Sequence, residues 1–218
     1  NDTDNLHDAK GIIRQAQDTA AEIYGAKQSR YLINGATSGI LASVCAGFKP
    51  GDKVLIQRSS HISVYHAAML SDIDVVFACN GKQGYDEACT LDINELKLHN
   101  DLKGIIIIYP SYTGVCADIA QISEYAKAKN ITLIADEAHG AHLKFSSLYP
   151  LSAEDAGADI VIQSTHKTLS SLTQSSVLHI CSDKTDIDKL DFYLRTFQSS
   201  SPSYILMNSL YQAILYGV

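Results

Sequence analysis

One stretch of the sequence, residues 133–142 (LIADEAHGAH), brings several reactive side chains together. An apolar run ends at Asp136, and His139 and His142 follow closely. A second apolar run leads into Ser-Thr-His and then Lys167. A carboxylate, imidazoles and a primary amine can move protons, bind a metal ion or form covalent bonds. Asp136 also opens the Asp-Glu-Ala-His tetrapeptide that names a helicase class, so an ATP-driven nucleic-acid motor is the first hypothesis to test.

The sequence excludes such a motor. ATP binding in these proteins uses a Gly-x-x-x-x-Gly-Lys-Ser/Thr loop, which is absent from all 218 residues. The formal net charge is −7, and no run of Lys or Arg occurs anywhere in the sequence. Because nucleic-acid binding needs a basic surface that neutralises phosphates, we expect no nucleic-acid partner.

A metal centre and a membrane location are also disfavoured. Asp136 with His139, His142 and His166 could supply ligands, but no second acidic ligand is evident and the first two histidines lie in a glycine-containing loop. The five cysteines are scattered without a Cys-x-x-Cys pair, which favours free thiols in a reducing cytoplasm. No apolar stretch reaches the ~18 residues that span a bilayer. We expect a cytoplasmic protein without a membrane span or a metal.

Helical and strand patterns alternate along the chain. Strands are predicted in RYLI, KVLIQ, DVVFAC, KGIIIIYP, ITLIAD, ADIVIQS and SSVLHIC, with helices over residues 8–24, the segment from NGATSG through ILASVCAGF, HISVYHAAML, LDINELKLH, and residues 118–129, 183–198 and 203–216. Apolar strands without alternation are buried on both faces, which is typical of a parallel sheet between helices. The predicted fold class is therefore α/β, a doubly wound, mostly parallel sheet with helices on both faces.

The residues that follow the predicted strands form the candidate site, because open parallel sheets bind ligands beyond the carboxyl ends of their strands. Residues 34–39 (NGATSG) lie at a helix start, where backbone N–H groups and the helix dipole suit a phosphate. Pyridoxal phosphate (PLP) needs a lysine for covalent attachment, an acid to pair with its pyridinium nitrogen, and a phosphate cradle. Lys167, Asp136 and residues 34–39 are candidates for these three requirements.

Four motifs resemble one known family. Residues 164–176 (STHKTLSSLTQSS) carry the strongest likeness, supported by ADEAHGAH, SSHISVYHA and NGATSG. From about residue 5 onward, the chain resembles the large domain of the PLP-dependent ornithine/lysine/arginine decarboxylases, which has the aspartate-aminotransferase fold. One departure is Ile62, where many members have a lysine.

The resemblance implies roles for individual residues. The implied catalytic set is Lys167, Asp136, His61 and His139: Lys167 holds the cofactor, Asp136 pairs with the ring nitrogen, His61 stacks on one ring face and His139 lies near the attachment point. Ala138 is implied under the other ring face. The phosphate ligands are implied to be Thr37, Ser38, Ser164 and His166, and Ser111 or Thr113 is placed near the ring hydroxyl.

The resemblance also implies an activity and an assembly. The reaction is expected to be decarboxylation of arginine, lysine or ornithine to a polyamine or diamine and carbon dioxide, in a homodimer or higher homo-oligomer. Residues 1–218 are expected to be a large domain only, with a small C-terminal domain, with or without an N-terminal segment, outside them. An aminotransferase or lyase of the same fold, or an incomplete fragment with a structural or dimerising role, is the alternative.

Overall fold

A single β-sheet forms the centre of the fold. The computed structural model of the protein describes residues 4–78 and 91–217. Within these ranges the strands are β1 (Gln28–Leu32), β2 (Lys53–Gln57), β3 (Asp74–Ala78), β4 (Gly104–Ile108), β5 (Thr132–Asp136), β6 (Ile160–Gln163) and β7 (Ser176–Ile180). They form one seven-stranded sheet in the order β1-β7-β6-β5-β4-β2-β3. The last residue of the predicted strand DVVFAC, Cys79, lies outside the described residues.

The strands of this sheet run mostly in one direction. The neighbouring strands from β3 through β6 pair in parallel, whereas β7 pairs antiparallel with both β6 and β1. The prediction of a mostly parallel sheet is confirmed. The carboxyl ends of β1, β2, β4, β5 and β6 therefore meet at one edge, and the start of β7 lies at the same edge.

Helices cover both faces of the sheet. They are α1 (Ile12–Tyr24), α2 (Gly35–Gly47), α3 (Ile62–Ser71), α4 (Ile93–Leu96), α5 (Ile119–Ala128), α6 (Ala153–Ala156), α7 (Thr165–Thr168), α8 (Ile187–Phe197) and α9 (Tyr204–Gly217). Two further segments, Leu6–Asp8 and Leu143–Phe145, form short 3-10 helices. None of the helices in residues 4–78 and 91–217 has the length and apolarity that a membrane crossing requires.

The apolar run of β4 shows why the strand patterns lack alternation. Ile106 packs on one face in a cluster with side chains of α2, α3 and α8. Ile105 and Ile107 pack on the other face in a cluster with side chains of α4, α5 and α6. Because both faces of the strand are buried, every position is apolar.

Three local features differ from the sequence prediction. The helix predicted over LDINELKLH is a single turn, because Leu96 is fully buried whereas Leu98 is 76% exposed and gives no packing face for a longer helix. The four-residue helices α6 and α7 were not predicted, since they are too short to show a helical period.

Candidate functional site

A cavity of about 320 Å³ opens at the carboxyl edge of the parallel strands. Eight of the predicted site residues line it: Thr37, His61, Asp136, Ala138, His139, Ser164, His166 and Lys167. They come from segments far apart in the chain, and the sheet brings them together. A cavity of this size is at the lower end of the range for small-molecule sites.

Asp136 is the buried acid of the cavity. It is the last residue of β5 and is only 2% exposed. Its Oδ1 atom accepts a hydrogen bond from the Ala138 N–H at 3.3 Å. Burial raises the pKa of Asp136 above its ordinary value, while the Ala138 N–H and electrostatic interactions with Lys167 and His61 oppose that rise. A buried carboxylate in this setting is suited to a cationic partner, such as a protonated ring nitrogen.

Lys167, which follows β6, and His139, which follows β5, meet in the cavity. The Lys167 Nζ atom lies 3.2 Å from His139 Nε2. Burial lowers the pKa of His139, and electrostatic interactions with Lys167, His61 and His166 lower it further. A neutral imidazole with its proton on Nδ1 can accept a hydrogen bond from the lysine amine. Lys167 is exposed to solvent, so its amine is accessible.

His61 is held in place by the start of α3. It is the N-cap residue of that helix, and its Nδ1 atom accepts from the Ser63 N–H at 3.2 Å. The same Nδ1 lies 2.8 Å from Ser63 Oγ. These contacts fix the ring where it lines the cavity that Asp136 also lines.

The start of α2 forms an anion-binding end of the cavity. Asn34 precedes this helix but does not cap it, because its Oδ1 accepts from the Ser199 N–H at 3.0 Å. Gly35 has a φ of +74°, which favours glycine, and it lines the cavity with Ala36 and Thr37. A helix start without a side-chain cap, open to a cavity, suits a phosphate.

Ser164 and His166 complete this end of the cavity. Ser164 is buried directly after β6. The Nδ1 atom of His166 lies 2.9 Å from the Ser175 carbonyl oxygen, which requires the proton on Nδ1 and orients the ring. Both residues can therefore face an anion in the cavity.

Three predicted residues do not line this cavity. Ser38 is buried within α2 and its hydroxyl donates to the Gly35 carbonyl at 2.8 Å. The Ser111 and Thr113 hydroxyls are 3.2 Å apart, and Ser111 Oγ also accepts from the Val115 N–H at 3.0 Å. These two hydroxyls stabilise the turn that follows β4.

The cavity also includes residues that sequence reasoning did not assign. Tyr112 is 82% exposed, and its ring packs edge-on against the His139 ring with centroids 5.4 Å apart. Gln174 has a positive φ of 79°, and its carbonyl accepts from the Gly35 N–H at 3.0 Å. Gln174 belongs to the Thr-Gln-Ser-Ser sequence, which was the only feature of the sequence that could have pointed to it. Gln174 lies at this edge of the sheet because β7 runs antiparallel to β6 and begins there.

Two other polar residues of the stretch 133–142, Glu137 and His142, lie elsewhere. Glu137 is fully buried beside α6, where its Oε2 atom accepts from the Ala153 N–H at 2.7 Å. His142 packs edge-on against the Tyr149 ring with centroids 4.8 Å apart. Among the described residues, no group of three or more His, Cys, Asp or Glu side chains is arranged to hold a metal ion.

Fold and site together define an α/β large domain of the aspartate-aminotransferase type. Lysine decarboxylase A from Pseudomonas aeruginosa has the same fold, with a TM-score of 0.82 and 20% identity over 96% of this chain and 32% of that chain. An aromatic aminotransferase from Pyrococcus horikoshii OT3 also shares it, with a TM-score of 0.74 and 18% identity over 99% of this chain and 59% of that chain.

The chain belongs to the Orn/Lys/Arg decarboxylase family. Residues 1–216 match the family model described as "Orn/Lys/Arg decarboxylase, major domain". A protein named arginine decarboxylase from Bacillus subtilis (strain 168) is 39% identical over 212 residues, which are 95% of this chain and 43% of that protein. The chain thus spans less than half the length of this curated relative.

Proposed function

We propose that this chain is the PLP-binding large domain of a decarboxylase that converts arginine, lysine or ornithine to the corresponding polyamine or diamine and carbon dioxide. The observation that carries the proposal is the meeting of Lys167 and the buried Asp136 in one cavity, with the uncapped start of α2. Membership of the Orn/Lys/Arg decarboxylase family supports the reaction type.

The residues of the cavity fit PLP by their chemistry. Lys167 supplies an accessible amine for covalent attachment of the cofactor aldehyde. Asp136 supplies a buried carboxylate for the ring nitrogen, and the α2 start with Ser164 supplies donors for the phosphate. His61 and Ala138, a ring and a small side chain, would face the two sides of the cofactor ring. When bound, PLP supplies an electron sink for the breaking of a bond at the substrate α-carbon.

The chain's own residues then have distinct tasks. Asp136, ionised, would pair with the ring nitrogen and favour its protonated form. Lys167 would hold the cofactor, and its amine, when free, could carry a proton beside the substrate carbon. His139, neutral because burial and nearby cations lower its pKa, accepts a hydrogen bond from the Lys167 amine and orients it.

The assembly is part of the same proposal. The resemblance implies a homodimer or higher homo-oligomer in the cytoplasm, and we assign the grip on the substrate carboxylate and distal amine to residues of a later domain or a second copy of the chain. An aminotransferase of the same fold would use the same ring-binding residues, so the fold alone does not choose between the two reactions.

The direct test is the product. The full chain supplied with PLP should release carbon dioxide from at least one of arginine, lysine and ornithine, and Lys167→Ala should abolish this release together with the visible absorbance of the lysine-bound cofactor. Lys129→Ala, at the exposed end of α5, is the matched control and should leave both unchanged. Consumption of an amino-group acceptor without carbon dioxide would show an aminotransferase instead.

A further inference from the structure

A row of buried polar side chains crosses four neighbouring strands. The row consists of Ser29 on β1, His179 on β7, Gln163 on β6 and Glu137 directly after β5, and all four side chains are buried. Ser29 Oγ lies 2.8 Å from His179 Nδ1, and His179 Nε2 lies 3.3 Å from Gln163 Oε1. The Gln163 amide donates to Glu137 Oε1 at 3.0 Å. We call these four residues the buried polar row.

The buried polar row lies on the face of the sheet away from the cavity. Successive side chains of a strand point to opposite faces. Asp136 and Ser164 line the cavity, so their neighbours Glu137 and Gln163 point the other way. Val161, two residues before Gln163, belongs accordingly to the core cluster beneath α5 and α6. The row therefore does not touch the proposed cofactor.

One hydrogen bond of the row joins the two segments that carry the proposed chemistry. Glu137 follows Asp136 directly, and Gln163 precedes the segment that carries Lys167. The bond between their side chains ties the end of β5 to the end of β6. Glu137 also lies directly beneath Gly140, where an added Cβ atom would overlap its side chain. The backbone around His139 is thus packed onto Glu137.

Because Glu137 and Gln163 are buried, their polar atoms must be paired within the protein, which restricts their side-chain conformations. The second oxygen of Glu137 accepts from the Ala153 N–H at 2.7 Å, so both oxygens receive a donor. Gln163 Nε2 also donates to Glu154 Oε1 at 2.6 Å. A buried donor left without its acceptor destabilises the folded state. The side chains of Glu137 and Gln163 are therefore held in one arrangement.

We propose that Glu137 is a positioning residue that, through Gln163, sets the placement of Asp136 relative to Lys167. The inference rests on the proposed function of these two residues. Glu137 does not line the cavity, so it would contact neither the substrate nor the cofactor. It acts through the backbone of the two strand ends.

Glu137→Gln tests the proposal with almost no change in volume. An amide has one acceptor oxygen, whereas Ala153 N–H and Gln163 Nε2 both donate, so the variant must leave one donor unpaired. We expect faster amide hydrogen exchange at Ala138 and Lys167 in the cofactor-free protein. We also expect PLP affinity to fall roughly tenfold, because the cofactor would then bind to displaced Asp136 and Lys167 side chains.

Two further variants separate positioning from general stability. Gln163→Met removes the same bond from its other side, together with the contacts of Gln163 to Glu154 and His179. It should have the same two effects, which covers the case in which Glu137→Gln does not fold. Ser29→Ala removes a hydrogen bond at the far end of the buried polar row. It should lower stability to urea without changing exchange at Ala138 and Lys167 or PLP affinity.

The outcomes are distinct. Faster exchange and weaker PLP binding in Glu137→Gln or Gln163→Met, but not in Ser29→Ala, support the inference. Unchanged exchange and affinity in both variants, or equal effects in Ser29→Ala, overturn it. If the wild-type chain binds no PLP, the proposed function fails, whereas the exchange measurement still decides whether Glu137 positions the two segments.

Discussion

Asp136 and its surroundings define the chemistry at the scale of single residues. Its side chain is buried, and its ionised form is stabilised by the Ala138 N–H and by electrostatic interactions with Lys167 and His61. A cationic ring nitrogen at this position would add a closer positive charge. The expected consequence is that Asp136 matters far more for reaction rate than for cofactor attachment.

Asp136→Asn tests this consequence. The amide cannot balance a protonated ring nitrogen, so kcat should fall at least roughly 100-fold, a loss comparable to that of a catalytic acid or base. The cofactor should still attach to Lys167, as measured by the visible absorbance of the loaded protein. Asp118→Asn, at the N-cap of α5, is the control because asparagine also caps helices. An Asp136→Asn variant that keeps more than about half of the wild-type rate would contradict the assigned role.

At the scale of elements, the start of α2 decides how the phosphate would be held. Two adjacent hydroxyls are present there, but only Thr37 lines the cavity. The Ser38 hydroxyl donates its one hydrogen to the Gly35 carbonyl oxygen, with an O···O distance of 2.8 Å. Because a phosphate dianion only accepts hydrogen bonds, Ser38 in this arrangement has no proton to give it.

A pair of substitutions tests that difference. Thr37→Val should weaken PLP binding roughly tenfold, since a hydrogen bond to a charged group contributes about 1.5–3 kcal/mol. Ser38→Ala should change PLP affinity little and should act mainly on the stability of α2. Equilibrium titration with PLP, followed by absorbance, gives both dissociation constants. A larger loss of affinity in Ser38→Ala than in Thr37→Val would show that the two roles are reversed.

The elements also show what sequence patterns can and cannot predict. The apolar runs that end at Asp136 and before Ser164 predict two buried strands, and the parallel arrangement brings their ends to one edge. The direction of β7 is invisible in its sequence, because the run SVLHI has the same apolar character when read either way. Gln174 was therefore missed as a neighbour of Gly35, and Ser38 could not be distinguished from Thr37 before the helix geometry was known.

At the scale of the whole molecule, buried titratable groups couple stability to pH. Burial raises the pKa of Glu154 from 4.5 to about 7 and lowers the pKa of His179 from 6.5 to about 3. Between pH 4.5 and 6.5, folded Glu154 holds more protons than the unfolded chain, so its contribution to stability grows as the pH falls. His179 holds fewer protons when folded, so its contribution falls over the same range. The two effects oppose each other.

Glu154→Gln removes the contribution of Glu154 to the pH dependence of stability and leaves that of His179. On acidification from pH 6.5 to 4.5, the free energy of unfolding of the variant should decrease more steeply than that of the wild type, by up to about 1.4 kcal/mol per pH unit. Urea unfolding at several pH values measures this slope. Glu22→Gln, an exposed residue of α1, is the control and should follow the wild type. If the free energy of unfolding depended on pH equally in Glu154→Gln and the wild type, the assigned contribution of Glu154 would be contradicted.

We propose Lys167 as the attachment point of PLP in this fold. Reduction of the PLP-loaded chain with borohydride, followed by digestion and mass spectrometry, tests this assignment. A pyridoxyl group is expected on the peptide that contains Lys167, and no label is expected at this position in Lys167→Ala. A label confined to another lysine, or no stable label on the wild-type chain at saturating PLP, would contradict it.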